Sequence, residues 1–260
     1  MPVLVDFPGR PDGGRIAIVT IDNAAKLNTL NRAIMTEFIA AMADLAQDRA
    51  LRAVVLTGSG ERAFVGGADI AEMAALEAAS ARAFITLVHR SCDALRRLPV
   101  PVIARVQGFA LGAGMELAAA CDLRVAADTA RFGMPEVKLG IPSVVEAALL
   151  PGLIGWGRTR ELLLLGEVYP AAEAAAWGFL EKVVPAAELD AAVETWLASL
   201  ISAGPEAIKL QKRLIRRWEE LPIPDAVEAG IDFFAASWAS DEPGRMMAEF
   251  LARRAATKKS

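Results

Sequence analysis

The stretch Ala63–Met73, A-F-V-G-G-A-D-I-A-E-M, constrains this chain more than any other. Before it stands the apolar run Ala53–Thr57 (A-V-V-L-T), which reads as a buried strand, and after it an Ala-rich helical stretch. The glycine pair Gly66-Gly67 falls where strand gives way to helix. At such a turn the first helical N–H groups have no partner inside the helix. They also carry the positive end of the helix dipole, so a developing negative oxygen is stabilised there. A plain turn has the same glycines, and the rest of the chain has to decide between the two.

A second strand, glycine turn and helix start follows. Val102–Val106 (V-I-A-R-V) is a strand, and Gly112-Ala113-Gly114 opens a short helix over M-E-L-A-A-A. Arg15–Ile21 and Leu123–Ala127 read as further strands, with polar Asn23–Asn31 as a loop. Ile34, Phe38, Ala41, Met42 and Leu45 recur at helical spacing and predict a helix of three to four turns. Helical patterning runs from Ala68 to about Leu98, with a break near Ala78–Ala81, and Pro99 and Pro101 end it. This alternation predicts an α/β fold. After Pro185, Glu188–Leu200, Pro205–Trp218, Asp225–Trp238 and Pro243–Arg254 all read as amphipathic helices with no strand between them. The expected organisation is a core over residues 1–194 and a helical C-terminal region over 195–260.

Composition narrows the function classes. At 260 residues with 54% hydrophobic side chains, the chain holds enough apolar surface for a large core and an oligomer interface. A net charge of −4 argues against nucleic acid or an anionic membrane as partner. Cys92 and Cys121 make no disulfide framework, the N-terminus lacks a basic segment followed by an apolar one, and no long apolar run is free of charge, Pro or Gly. A cytoplasmic protein with no membrane span is expected.

Several chemistries find no support. The only histidine, His89, lies in a helical stretch and reads as a core or surface residue, not a catalytic base. One His and two distant Cys make no metal site. Gly58-Ser59-Gly60-Glu61-Arg62-Ala63 matches a dinucleotide-binding fingerprint, but that motif needs a helix directly behind it and here a second glycine turn follows. Lys209, Lys212, Arg213, Arg216 and Arg217 read as a solvated helix face, with attraction of phosphates the lesser alternative. On the positive side, Glu116 stands just inside the helix after Gly112-Ala113-Gly114, and Glu136 follows Pro135 twenty positions later. Either glutamate alone is unremarked. The combination of two glycine-turn helix starts with a carboxylate just inside the second is what draws attention.

With these pieces in place the sequence resembles the enoyl-CoA hydratase/isomerase (crotonase) family over nearly its whole length. The resemblance rests on K-L-N (Lys26–Asn28), Ala63–Met73, P-V-P-V-I-A-R-V-Q-G-F-A-L-G-A-G-M-E-L-A-A-A-C-D (Pro99–Asp122), F-G-M-P-E-V-K-L-G-I-P (Phe132–Pro142) and G-P-E-A-I-K-L-Q-K from Gly204. It implies a spiral of ββα units forming two nearly perpendicular sheets. It also implies C-terminal helices that serve in trimerisation and cap the pocket, and assembly as a homo-trimer or dimer of trimers. The implied substrate is an acyl-CoA thioester, with coenzyme A as part of the substrate and no metal or redox cofactor.

On the matching positions, the N–H groups of Ala68 and Ala113 would form the oxyanion hole. Lys26, Leu27 and the backbone of Ala68, Asp69, Ile70 and Ala71 would border the CoA. Glu116 and Glu136 fall on both positions that carry glutamate in hydratases, Glu116 to activate water and Glu136 to protonate C2. Asp69 is expected to hold the loop and helix start. One segment departs from the family: many hydratases read I-P-G-A-G-G-T-Q-R-L-P where this chain has I-P-S-V-V-E-A-A-L-L-P (Ile141–Pro151). The added Glu146 is read first as an ion-pair or capping residue and second as a third acid/base. The leading expectation is an enoyl-CoA hydratase. The alternatives are a Δ3-Δ2 enoyl-CoA isomerase, another acyl-CoA lyase or hydrolase, or a non-catalytic or RNA-binding member.

Overall fold

The computed structural model describes residues 2–257. Two sheets organise the first part of the chain. The larger contains β1 (Val3–Asp6), β2 (Arg15–Ile21), β3 (Leu51–Gly58), β5 (Val102–Val106), β7 (Leu123–Ala127) and β10 (Lys182–Val184), in that spatial order. The smaller contains β4 (Ala63–Val65), β6 (Phe109–Leu111), β8 (Arg131–Gly133) and β9 (Val168–Pro170). Each turn of chain deposits one strand in each sheet: β3 then β4, β5 then β6, β7 then β8. Both sheets grow in the same direction, with β3, β5 and β7 parallel in one and β4, β6 and β8 parallel in the other. That is a spiral of ββα units. Strand β3 is buried along nearly its whole length because it lies inside the larger sheet, and its V-V-L-T run reads as continuous rather than alternating for that reason.

The helices fill the spiral. Helix α1 (Arg32–Gln47) is capped by Asn31 and buries Ile34, Met35, Phe38, Met42 and Leu45 on one face. The single helix predicted over 68–98 is two, α2 (Ile70–Met73) and α3 (Ala78–Arg97). The break lies at 74–77, just before the predicted place, because Glu77 and Ser80 form a reciprocal capping box there. Helix α4 (Ala113–Ala120) is buried at all eight positions. At its far end the buried Arg124 guanidinium donates to the carbonyls of Ala118 and Cys121, matching a cation to the negative end of the helix. Helices α5 (Leu150–Leu165), α6 (Ala171–Ala176) and α7 (Leu189–Ser202) complete the first part.

The chain divides into two compact units between Leu197 and Ala198, inside α7. The second unit holds α8 (Pro205–Trp218), α9 (Ile223–Ser237) and α10 (Glu242–Thr257). Its first turn is anchored by Glu242, which accepts hydrogen bonds from the Glu206 and Ala207 N–H groups. The basic face of α8 is not uniformly solvated as expected, for Lys212 is buried while Lys209 pairs with Glu206 and Arg213 lies over the Phe233 ring. Among the described residues no helix is long and apolar enough to cross a membrane.

Candidate active site

The two glycine turns are successive turns of the spiral, so they meet. Parallel pairing of β4 with β6 brings Val65 beside Ala110, and the two turns leave the same ends of those strands. At Gly67 (φ +111°) an added Cβ would lie 3.2 Å from the Leu111 carbonyl oxygen, so the first turn runs directly over the approach to the second. Gly114 lets α4 press against β4, since a Cβ there would lie 2.0 Å from the Val65 carbonyl oxygen.

The first turn is held from behind. Leu30 donates to the Gly67 carbonyl and accepts from the Asp69 N–H, each at 2.8 Å. In that parallel bridge Gly67 and Asp69 face Leu30, so the Ala68 N–H points to the opposite side. Ala113 is the first residue of α4, where a helical N–H has no partner within the helix. The chain thus offers one N–H group at the start of α4 and another just before the cap of α2.

Asp69 is the N-cap of α2. One of its oxygens accepts from the Ala71 and Glu72 N–H groups at 2.9 and 3.2 Å, and the other from the Lys26 ammonium at 3.0 Å. The Lys26 hydrogen bond leads in holding its carboxyl below the ordinary aspartate value. Its role in fixing the loop and helix start is therefore visible in the geometry, and it also ties down the exposed Lys26 side chain. Leu27 beside it is left-handed (φ 55°), as is Asn28 (φ 57°). Asn28, completely buried, donates to the carbonyls of Ser59 and Ala63 and accepts from the Asn23 N–H and the Ser59 hydroxyl. This amide knots the loop before α1 to the β3–β4 turn. The dinucleotide fingerprint does not hold there: Gly58–Gly60 lead into strand β4, not a helix, and a Cβ on Gly58 would lie 2.0 Å from the Phe64 carbonyl oxygen.

Both glutamates reach the same cleft, which Ala68, Ala113, Gly112 and Ser143 also line. Glu116 is buried in the first turn of α4 and accepts from the Ala147 N–H at 3.1 Å. Burial pushes its carboxyl up to about 8; the Ala147 bond opposes this, and Glu136 and Glu146 add to it. Glu136 lies in a 3-10 helix (Pro135–Leu139). Its Oε1 occupies the space that a side chain on Gly112 would take, 2.3 Å from the ideal Cβ, and its Oε2 accepts from the Ser143 hydroxyl at 2.7 Å. Apolar walls come from Phe84, Ile85 and Val88 of α3 and from Leu139, Ile141 and Val144. The bulky Ile141–Pro151 segment thus forms part of the wall, and Ser143 in it grips the second glutamate.

Comparison with known proteins shows the family and the fold. A family model described as enoyl-CoA hydratase/isomerase matches residues 12–259. The chain belongs to that family. Among members of the enoyl-CoA hydratase/isomerase family, it is 36% identical over 242 residues to a short-chain-enoyl-CoA hydratase of Clostridium acetobutylicum, covering 93% of each chain. It is 37% identical over 243 residues to a crotonyl-CoA hydratase of Syntrophomonas wolfei, covering 93% of this chain and 94% of that one. The crystal structures of enoyl-CoA hydratases from Bacillus anthracis and Mycobacterium smegmatis superpose with a TM-score of 0.92 each, at 28% and 29% identity over 97% of both chains. The crotonase fold expected from the resemblance is the fold observed.

Sequence reasoning singled out both glutamates and both glycine turns. It did not find Ser143 as a partner of Glu136 or Asn28 as the buried knot, since a lone Ser or Asn carries no periodic signal. His89 was read as bland, yet its Nδ1 lies 2.8 Å from Glu146 Oε1. The ion-pair reading of Glu146 matches that contact.

Proposed function

We propose that this chain is an enoyl-CoA hydratase, adding water across the C2–C3 double bond of a short 2-enoyl-CoA thioester. The observation that carries the reading is one apolar cleft lined together by Ala68, Ala113 and two carboxylates, Glu116 and Glu136. The thioester oxygen would lie between the Ala68 and Ala113 N–H groups, and donors of this kind are each worth about 10²–10³ in rate. Water oxygen bonds to C3 as one carboxylate takes its proton, and the π electrons move onto the thioester oxygen to give an enolate. The enolate collapses by taking a proton at C2 from the other carboxyl. Atoms balance with one proton removed and one delivered, so the chemistry calls for no metal or redox group. Lys26, Leu27 and the backbone from Ala68 to Ala71 would border the CoA, although the Ala71 N–H is already held by Asp69.

Glu116 is assigned to the water and Glu136 to C2, acting as a coupled pair with one proton between them. The deep burial of Glu116, which raises its carboxyl, favours the reverse division, with Glu116 as the proton donor to C2. Exchange of the C2 protons of butyryl-CoA in D₂O separates the two. The first assignment expects Glu136→Gln to abolish exchange and Glu116→Gln to keep it; the reverse pattern supports the second.

The family reading extends to assembly as a trimer or a dimer of trimers. It is supported by a stripe of exposed apolar residues along α9, Ile223, Val227, Ile231 and Phe234, continued by Trp238 at its C-cap. The primary test is loss of conjugated absorbance from crotonyl-CoA. A faster reaction with 3-enoyl-CoA, forming the 2-enoyl product, would favour the isomerase instead, and failure to turn over any enoyl-CoA would leave a binding role.

A further inference from the structure

The short segment from Ser143 to Ala147 touches both cleft glutamates. The Ser143 hydroxyl donates to Glu136 Oε2 at 2.7 Å, and the Ala147 N–H donates to Glu116 Oε1 at 3.1 Å. Between them Glu146 meets the His89 Nδ1 at 2.8 Å, which ties the segment to α3. Ser143 is half-buried and stands where many hydratases have glycine, so its hydroxyl belongs to the part of the sequence that departs from the family. Glu136 has a fixed backbone, since its carbonyl accepts from the Ile141 N–H at 3.2 Å where the Pro135–Leu139 helix ends. Three side-chain torsions then separate that backbone from the carboxylate, and left free they would scatter it among rotamers. Its two oxygens are not equivalent. Oε2 is taken by Ser143, while Oε1 has no hydrogen-bond partner among the described residues and lies over Gly112, 2.3 Å from where a Cβ would stand. Gly112 immediately precedes Ala113, the first residue of α4, so the free oxygen is the one beside that helix start.

We propose that Ser143 is a positioning residue for Glu136: by binding Oε2 it holds Oε1 over Gly112, where that oxygen faces the reacting carbons of a thioester seated at Ala113. This role rests on the reading of Glu136 as an acid/base group in hydration. The placement serves a proton moving in either direction at Oε1. Proton transfer needs the carboxyl oxygen within hydrogen-bond reach of the reacting group, and a misplacement of about 1 Å can cost as much as 10²-fold in rate. Ser143 exerts its effect through Glu136 alone, so its removal has nothing left to disturb once Glu136 can no longer move a proton.

The test is a double-mutant cycle on crotonyl-CoA hydration together with a crystal structure of Ser143→Ala. In the otherwise wild-type protein Ser143→Ala should lower kcat about tenfold with KM within about twofold. In the Glu136→Gln background the same substitution should change kcat by less than about twofold. In the crystal the Glu136 carboxylate of Ser143→Ala should have left its place over Gly112 or be spread over more than one conformer, while in the wild type it stays there. A hydroxyl that merely tied the segment to the Pro135–Leu139 helix would leave the carboxylate where it is, or give equal losses in both backgrounds. An unmoved carboxylate, equal losses, or a Ser143→Ala kcat within twofold of the wild type overturns the proposal. The crystallographic comparison needs no turnover, so an inactive wild-type protein would refute the hydratase reading and leave the position of Glu136 to decide this one.

Discussion

Glu116 holds its proton in the folded protein up to about pH 8, and the same group is released near 4.5 when unpaired and exposed. Folding therefore binds a proton between those values, so the unfolding free energy falls as pH rises from about 4.5 and levels off above about 8. Glu116→Gln removes that decline. Thermal melts at pH 5 and pH 8.5 should show the variant gaining on the wild type, on the order of 4 kcal/mol at the higher pH. A gap independent of pH would mean that Glu116 is not held protonated. Asn28 tests the opposite kind of burial, a polar group with every partner supplied. Asn28→Ala leaves the Ser59 and Ala63 carbonyls and the Asn23 N–H without it, and denaturant melts should lose about 2–4 kcal/mol. Neither effect is legible in sequence, because each depends on which loop folds over the residue.

At the scale of elements, strand length decided what the sequence revealed. The long strands β2, β5 and β7 have the bounds that their apolar runs predicted. Every strand of the smaller sheet has three residues, too few to establish a period of two, and that whole sheet went unread. Its existence could be inferred only through the family resemblance. The glycine turns were legible because each opens a helix, while their meeting follows from the β4–β6 pairing, which spacing does not contain. Gly112 shows what that meeting demands. It combines φ +50° with a Cβ direction filled by Glu136 Oε1, so Gly112→Ala should displace the glutamate and strain the turn. Hydration should fall at least tenfold, with stability lower by about 1–2 kcal/mol. Near-normal turnover would mean that Glu136 can leave this position without cost to the reaction.

At the scale of the molecule, the cleft lies wholly within the first compact unit, and all its lining residues precede Leu197. The second unit was the easiest part to read, since its helices are long and amphipathic, with α8 predicted at its observed bounds. What sequence left open was the fate of their apolar faces. The α9 stripe, with Phe234 69% exposed, is larger than isolated surface hydrophobics account for. If it closes an assembly, Phe234→Glu should shift the protein to a smaller species in light scattering; an unchanged mass would place the interface elsewhere.

The central claim is that Glu116 and Glu136 act on one substrate as a unit. Hydration of crotonyl-CoA by Glu116→Gln, Glu136→Gln and the double variant measures it. Each single substitution should lower kcat by about 10²–10⁴, and the double variant should fall little further, because either loss already breaks the proton exchange. Either single variant within tenfold of wild type, or losses that multiply in the double variant, would contradict the account.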